Sequence, residues 1–514
     1  MNTQATLDKI VAWSKRRGFV FPSSEIYGGM ANVYDFGPYG TMLKENVRNL
    51  WLKNFVQERD DIFAIDSSVI LNPKVWEASG HTASFADVMV EDKVNHKRHR
   101  ADHLIEEKLE KINNEELRSF AQNFNNFLIG YINLKSDLTE QKISEYDEVI
   151  SKTMLTNWDP RAEGLLSRKV DGLDPHELNY ILKELKIKSP DGNELTEPKR
   201  FNQLFQTEVG IIAGEKNKTY LRGEIAQGLF MNFKNIIDSM HPKLPFGIGQ
   251  AGKAFRNEIT MGKFTFRTLE FDLMEFEYFF DHNKQDWNNL FEYWKDEMME
   301  FADLIGLNKE NLRWREHEDF ERSHYSSRTE DVEYQFPWGF KEMWGLAYRT
   351  DFDLKNHQEK SGKDLRYSYP DGTKIMPHVI EPTFGLSRLI TVLVFDAYRE
   401  ESVNNKTRVY MKFKPSIAPV KFAVFPLQKD EKLRGFAKSI YANLREKFYG
   451  EFDDSGNIGK MYRKQDEIGT PYCITVDYDS LTDNAVTIRE RDTMRQERVQ
   501  IDDLVSYLDE KFAE

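Results

Sequence analysis

A single cysteine, Cys473, stands among the 514 residues. A lone thiol excludes an intramolecular disulfide framework and any zinc site built on a cluster of cysteines. Long apolar runs are missing as well. The longest, around Leu389–Phe395, is interrupted by Thr391 and falls short of the ~18 residues a membrane span needs. The N-terminal stretch MNTQATLDKIVAWSKRRG lacks an apolar block followed by a small-residue cleavage site, so no secretory leader is expected. Positive charge is not in excess: 71 Lys and Arg against 85 Asp and Glu leave a net −14 with histidine neutral. That balance argues against a general nucleic-acid coat and leaves room for a specific RNA partner on a local basic surface. No internal repeat and no low-complexity segment is visible. What is present is apolar and aromatic substance, 40% and 13% of residues, which rules out a disordered chain. At about 150 residues per domain the length suggests roughly three to four domains. The expectation is a soluble, cytoplasmic, multidomain protein with no membrane partner.

Regions 1–100, 101–200, 201–400, 401–419 and 420–514 differ in pattern. The first has a short helix with Leu7, Ile10 and Val11, a Gly-rich turn at Tyr27–Gly29, and a second turn, Gly37–Pro38–Tyr39–Gly40. That turn leads into a helix with Leu43, Val47, Leu50 and Trp51 on one face, and Pro38 just before it costs no hydrogen bond. The second region is charged and helical in period. Leu117, Phe120, Phe124, Phe127, Leu128 and Tyr131 form one apolar face, and Leu178, Ile181, Leu182 and Leu185 another. It reads as a mostly helical insertion, its Phe face as core. The third region carries long alternating runs, Ala254–Ile259, Thr265–Phe280 and Lys341–Arg349, which predict an antiparallel sheet; Pro377–Pro382 is a strand feeding a helix at Leu386–Tyr398. A basic stretch with Pro415 and Pro419 reads as a linker. The last region predicts a small α/β domain, in which Cys473 sits in an apolar strand as a structural thiol.

Two segments carry chemistry. Phe255–Glu258, FRNE, is followed by a returning strand, FRTLEFDLMEFEYFF. Alternation would put Arg256 and Glu258 on one face, and Phe271, Leu273, Glu275 and Glu277 on one face of the return. A guanidinium, an aromatic ring and carboxylates suit a nucleoside triphosphate with a cationic group: arginine grips phosphate, the ring stacks a base, and the acids hold Mg²⁺ or an ammonium. A salt-bridged, solvated sheet face is the plainer reading of the same residues. The second segment, EPTFGLSR, ends a strand on Glu381, turns at Gly385 and places Arg388 in the first turn of a helix, an arrangement suited to an anion.

FRNE with its FxxxE return is similar to motif 2 of class II aminoacyl-tRNA synthetases, EPTFGLSR resembles motif 3, and the GPYG turn with its helix resembles motif 1. The whole chain resembles the homodimeric glycyl-tRNA synthetases, on WEASGH, RADHL, FNQLFQT, LRGEIAQGLF, GLAYRTDFDL and the C-terminal run Tyr462–Met494. The resemblance implies an α+β fold: an antiparallel catalytic sheet flanked by helices, with motif 1 in 1–100 and motifs 2 and 3 in 201–400, a helical insertion at 101–200, a linker at 401–419, and an anticodon-binding domain at 420–514. It implies a ligase that makes glycyl-adenylate from glycine and ATP with Mg²⁺, then transfers glycine to the terminal adenosine of tRNA(Gly), acting as a homodimer. Sister enzymes for threonine, proline or histidine, and non-catalytic paralogues, are the alternatives; LRGEIAQG and AYRTDFDL favour glycine.

Carried onto matching positions, the catalytic residues are Arg256, Glu258 and Arg388. Arg256 contacts the α-phosphate, and Arg388 covers adenine opposite a ring expected to be Phe271. ATP contacts fall on Arg256, Asn257, Glu258, Phe266, Arg267, Thr268, Leu269, Glu270, Phe271, Glu342, Met343, Gly385, Leu386, Ser387 and Arg388. The glycine pocket falls on Arg100, Glu224, Phe271, Asp272, Leu273, Met274, Glu275, Arg349, Glu381, Pro382, Thr383, Phe384 and Gly385. Glu224 and Glu275 receive the ammonium, Arg349 the carboxylate, and Glu342 and Glu381 the magnesium that comes with ATP. Strict alternation sets Glu342 and Arg349 on opposite faces, so a bulge is needed for both to serve one site. Many bacterial members carry Cys-x-x-Cys before RADHL; here those positions are Asp92 and Asn95. His81, His96, His99 and His103 surround Lys97 and Arg98 as a basic loop near RNA, and zinc is not expected.

Overall fold

The computed structural model describes residues 7–84, 86–109, 173–210, 217–258, 264–317 and 325–513, with positions 111–113, 115–117, 119, 120, 123, 124, 127 and 170. The chain divides into two compact units, one of Met1–Ser79, Glu208–Arg256 and Met261–Glu514, the other of Gly80–Thr207 with Asn257–Thr260.

In the first unit the chain order is α1 (Leu7–Arg17), α2 (Pro38–Leu52), β1 (Ile62–Ala64), α3 (Ala226–Met240), β2 (Phe246–Phe255), β3 (Glu270–Phe280), α4 (Trp287–Leu304), β4 (Leu312–Glu316), β5 (Arg328–Phe336), β6 (Gly339–Thr350), α5 (Phe352–Ser361), β7 (His378–Gly385) and α6 (Leu386–Ala397). Seven strands form one sheet in the order β4-β5-β6-β7-β3-β2-β1, antiparallel except where β1 joins β2. Alternation on β3 sorts the faces. Met274, Phe276, Tyr278 and Phe280 enter the main core with Trp51, Phe55, Trp294, Phe301, Trp344 and Phe384. On the other face Phe279 packs under α3 with Phe230, Phe233 and Phe246, while Leu273 and Phe271 meet Ile225 and Ala254. Between these two apolar groups the same face of β3 carries Glu275 and Glu277. An apolar frame therefore encloses an acidic patch.

Three structural findings differ from the sequence reading. Leu43, Val47 and Trp51 of α2 lie in this chain's own core, fully buried, so that face is not free to form a seam with a second copy. The stretch 401–419 is no plain linker. Strands Tyr398–Val403 and Lys406–Met411 form a hairpin whose turn, Asn404–Asn405, has φ of 50° and 58°. Adjacent left-handed residues are what a two-residue hairpin loop requires, and Asn tolerates them. Beyond the hairpin, Phe413, Ile417, Ala418 and Val420 are buried in the main core. Finally β2 ends at Phe255, so Arg256, Asn257 and Glu258 follow the strand and do not alternate within it. Arg256 N still donates to Leu269 O at 3.0 Å, which fixes the loop's start.

The C-terminal part holds a mixed sheet. Its strands are β8 (Phe422–Pro426), β9 (Gly450–Phe452), β10 (Tyr472–Val476), β11 (Ala485–Glu490) and β12 (Gln496–Gln500), in the order β9-β8-β10-β11-β12. Helices Glu431–Leu444, Ile458–Ile468 and Leu504–Ala513 accompany it. Cys473 is a buried free thiol, packed with Ala423, Phe425 and Met461, and burial pushes its pKa up.

The second unit mixes helix with sheet. Among the described residues, Ala86–Glu91 pairs antiparallel with Arg98–Arg100 and with Lys199–Asn202. Leu117, Phe120, Phe124, Leu178, Ile181 and Leu182 share one core with Ile105, and Phe127 and Leu185 pack on it; Leu128 and Tyr131 lie outside the described residues. The turn at Asp92 is held by hydrogen bonds. Its Oδ1 accepts from Val94 N at 2.8 Å and Asn95 N at 3.1 Å; its Oδ2 accepts from Ser189 Oγ at 2.6 Å and Asn193 Nδ2 at 3.1 Å.

Candidate active site

The acidic patch is assembled from four elements. Register pairs Glu275 of β3 with Gln250 of β2 and with Thr383 of β7, and Tyr278 with Ile380, which sets Glu381 opposite Glu277. Glu275, Glu277 and Glu381 are all buried, and each presents a carboxylate oxygen within 4.8 Å of the others.

Arg349 reaches the patch because of a bulge. Tyr348 pairs with Ile380 and Thr350 with Val379, so Arg349 is the extra residue. A second irregularity pairs Val332 with Trp344 but Glu333 with Glu342, which turns Glu342 to the face of Gly345 and Ala347. Both bulges lie where the sequence spacing asked for one. Arg349 is 1% exposed, and its nitrogens are committed. Nη1 donates to both oxygens of Glu381 at 3.0 Å, while Nε and Nη2 donate to Asp353 at 2.8 and 2.9 Å. Nη2 also stands 3.9 Å from Glu224, and Tyr325 lies under the guanidinium at 3.9 Å. From α3, Gln227 Nε2 donates to Glu224 at 3.0 Å and to Asp353 at 2.9 Å, and His357 Nε2 donates to Gln227 Oε1 at 2.7 Å. The guanidinium expected to meet a substrate carboxylate is thus the clasp of an acid set.

Three buried oxygens in the patch have no hydrogen-bond partner: Glu275 Oε1 and both oxygens of Glu277. Burial first, then repulsion from Glu381 and other acids, pushes Glu275 and Glu277 well above the usual carboxylate range. Thr383 Oγ1 stands 3.5 Å from Glu275 Oε2. Arg222, also buried, donates to Lys253 O at 2.6 Å and Ser67 O at 2.8 Å; a side chain at Gly252 would strike its Nη2 at 2.5 Å.

Two arginines flank the patch toward the sheet's open end. Arg256 Nε donates to Gly223 O at 2.9 Å, and its guanidinium lies 5.6 Å from the Phe271 ring. Arg388 pairs with Glu342 Oε1 at 2.8 Å and lies over Phe266 at 4.5 Å. The ring directly beneath Arg388 is Phe266. Phe266 ends the turn Phe264–Phe266, tied to α6 by a Thr265–Thr391 hydroxyl contact, whereas Phe271 faces Ile225.

The remaining expected contacts divide by where their side chains go. Met274, Met343, Phe384 and Leu386 are buried in the main core and present backbone to the other face. Pro382 is buried, and Gly385 would bring a side chain within 3.2 Å of Met343 O. Asp272 pairs with Lys44 at 3.1 Å and its N–H donates to Ser387 Oγ at 2.9 Å; Glu270 pairs with Lys253. Thr268 Oγ1 donates to Glu270 O at 2.7 Å, Leu269 N to Asn32 O at 3.0 Å, and Arg267 is exposed. Arg100, Asn257 and Glu258 fall in the second unit, where Arg100 Nε donates to Asp102 at 3.1 Å. For magnesium, Glu381 has both oxygens on Arg349, and the acid trio includes Glu381 but not Glu342, which is engaged at Arg388.

Glu277, Asp353 and Gln227 were not singled out as site residues from sequence. Glu277 had a signal, its alternation with Glu275. Asp353 had one too, four residues past Arg349.

Residues 421–511 match the family model described as an anticodon binding domain. Over nearly its whole length the chain is similar to proteins named glycine–tRNA ligase. It is 44% identical to that of Caldanaerobacter subterraneus subsp. tengcongensis, over 99% of each chain. It is 43% identical to that of Acetivibrio thermocellus over 100% of each, and 43% identical to that of Geobacillus thermodenitrificans over 99% of this chain and 98% of the relative.

Proposed function

The chain belongs to the glycine–tRNA ligase family, and from that premise we propose how its own residues carry out the reaction. It is an aminoacyl-tRNA synthetase that attaches glycine to tRNA at the expense of ATP. Neither a sister synthetase for threonine, proline or histidine nor a non-catalytic paralogue is favoured by the relatives.

The observation that carries the residue-level reading is the orphan oxygen of buried Glu275. A buried carboxylate without a partner is costly, and a small cation delivered by substrate relieves it. The glycine ammonium is that cation, received by Glu275 with Glu224, while Glu381 shapes the wall. Arg349 acts on Glu381 and Asp353 and is a positioning residue. The glycine carboxylate is left facing Arg256, where an oxygen attacks the α-phosphorus of ATP in line and pyrophosphate leaves. Arg256 and Arg388 meet the charge that develops on the phosphates, so positioning and electrostatics suffice and no protein nucleophile is needed. Magnesium arrives with ATP; half-exposed Glu342 suits it better than Glu381, whose oxygens are taken. Adenine lies against Arg388, whose guanidinium Phe266 backs at 4.5 Å, with Phe271 the ring opposite.

The domains follow the family plan: catalytic core, insertion, and a C-terminal domain that binds the anticodon of tRNA(Gly). The place of action is the cytoplasm, which fits a chain in which no described helix is long and apolar enough to cross a membrane. A homodimer rests on the resemblance alone, since the α2 face belongs to the chain's own core; sedimentation at about 60.5 kDa with full activity would refute it. The reading as a whole is tested by pyrophosphate exchange with each amino acid in turn. Exchange that depends on glycine is expected, and exchange that prefers another amino acid would overturn it.

A further inference from the structure

Glu277 sits one step deeper in the sheet than Glu275, at a place where no described group hydrogen-bonds its oxygens. Along β3 its same-face neighbours are Glu275 and Phe279. Across the sheet it pairs with Ile248 on β2 and lies opposite Glu381 on β7. From β6 the nearest cation, Arg349, has Nε, Nη1 and Nη2 donated to Asp353 and Glu381. From the segment before α3 and from α3 itself the polar groups are Glu224 and Gln227, and from α5 Asp353, all tied to one another or to Arg349. Glu277 is 0% exposed, and neither oxygen has a partner.

Resting on the glycine-binding reading above, we infer that Glu277 is held as a neutral carboxylic acid and positions Glu275, the ammonium receiver, by donating its O–H toward the Glu275 carboxylate from the side away from the ammonium. An oxygen of each carboxylate lies within 4.8 Å of the other, a distance that one bridging water can span. Carboxylates at such spacing in an apolar frame do not all ionise, and the proton settles where charge is least supported. Glu381 is supported by Arg349, and Glu275 by the incoming ammonium. Glu277 has neither. Burial, and then repulsion from Glu381, hold its carboxyl well above the usual carboxylate range, in agreement with this placement. The consequence for the reaction is orientation. A carboxylate that accepts one hydrogen bond from behind presents a fixed lone pair to a substrate with no side chain to grip.

The inference separates a neutral donor from an anionic contact. Glu277→Gln keeps a buried N–H donor of nearly the same shape and is expected to hold KM for glycine within about threefold of wild type. Glu277→Leu removes the donor and is expected to raise KM for glycine about tenfold, with KM for ATP moving less than twofold. A Gln variant as impaired as the Leu variant would overturn the proposal, because charge would then be what matters. A Leu variant with an unchanged KM would overturn it too. If the Leu variant fails to fold, infrared difference spectroscopy decides without any activity. Wild type at pH 7.5 should show the carbonyl stretch of a protonated carboxylic acid that the Gln variant lacks; no such band overturns the proposal. Wild type that shows this band yet no glycine-dependent exchange would instead count against the functional reading.

Discussion

Around Asp466 every buried charge is answered, whereas around Glu275 several are not. At Asp466 one carboxylate accepts Arg408 Nε at 2.8 Å and two nitrogens of Arg489 at 2.9 and 3.1 Å. Arg408 goes on to Glu401 at 2.6 Å, and Arg491 goes to Asp492, to Gly469 O at 2.7 Å and to Phe413 O at 2.8 Å. Three guanidinium groups thus meet three carboxylates, and the Gly469 and Phe413 carbonyls take the remaining donors. At the acidic patch Arg349 closes Glu381 and Asp353 but leaves three oxygens of Glu275 and Glu277 bare. Both clusters are buried, so burial does not distinguish them. A cluster that holds a fold is complete in itself; one that binds is complete only with its ligand.

Removing a charge from the closed cluster should cost stability and spare chemistry. Asp466→Asn leaves Arg489 buried without its carboxylate and Arg408 with Glu401 alone, which in comparable sites costs about 3–5 kcal/mol. Denaturation should show this loss, while the folded fraction keeps its glycine-dependent exchange. Wild-type stability would show that the network is not what joins the hairpin at Tyr398–Met411 to the C-terminal sheet. At the open site the pattern should invert. Arg256→Ala and Arg388→Ala each remove a group from developing phosphate charge, worth roughly 3–4 kcal/mol, or about 10²–10³ in rate. Exchange should fall by that factor with denaturation midpoints near wild type. Exchange within a few-fold of wild type in both variants would break the assignment.

The contrast also marks what the sequence could and could not tell. The alternation that sorts Glu275 and Glu277 from Met274 and Phe276 was legible, because a two-residue period is a local property. So was the need for a bulge between Glu342 and Arg349. The partners were not. That Arg349 closes on Asp353 and Glu381 depends on where α5 begins after the left-handed turn at Thr350, φ 55°. That Phe266 backs the Arg388 guanidinium depends on a turn packed against α6. The apolar face of α2 was legible as apolar but its neighbour was not, since amphipathicity says that a face is buried and not by what. The basic stretch 401–419 hid a hairpin because the signal, Asn404–Asn405, is shorter than the charge pattern around it.

A smaller effect should separate the wall of the open site from its floor. Glycine offers no side chain to hold, and one extra methyl is worth only about 0.8 kcal/mol, in the wrong direction for an open pocket. Rejection of alanine must therefore be steric. Thr383 is half-buried, pairs with Glu275 across the sheet and is stiff at its branched carbon. Alanine should be activated at least about two orders of magnitude less well than glycine. Thr383→Gly should narrow the ratio of kcat/KM in exchange by about tenfold, chiefly by improving alanine; the typical worth of one methylene in a fitted pocket is about 1–3 kcal/mol. An unchanged ratio would place the wall elsewhere.

The smallest effect comes from a group between the two extremes, neutral and partnered. His378 opens β7, three residues before Glu381. Its Nδ1 accepts from Tyr348 O–H at 2.5 Å, and its ring stacks on His282 at 3.9 Å. Burial, and then His282, lower its pKa to about 4, against the opposing pull of Asp351 and Asp281. The folded state therefore binds fewer protons than the unfolded state between about pH 4 and 6.5. Stability from this group is fully present above the unfolded value and is lost as pH falls through that window, levelling off below it. The ring is only about half-buried, so solvent screening cuts the nominal figure to about 1 kcal/mol. Denaturation of wild type and His378→Gln at pH 7 and at pH 4.5 isolates the term from the carboxylates, which both proteins share. Wild type should lose about 1 kcal/mol more than the variant on acidification. Equal losses would mean that the ring protonates in the folded protein as it does in water, and that burial beside His282 does not hold it neutral.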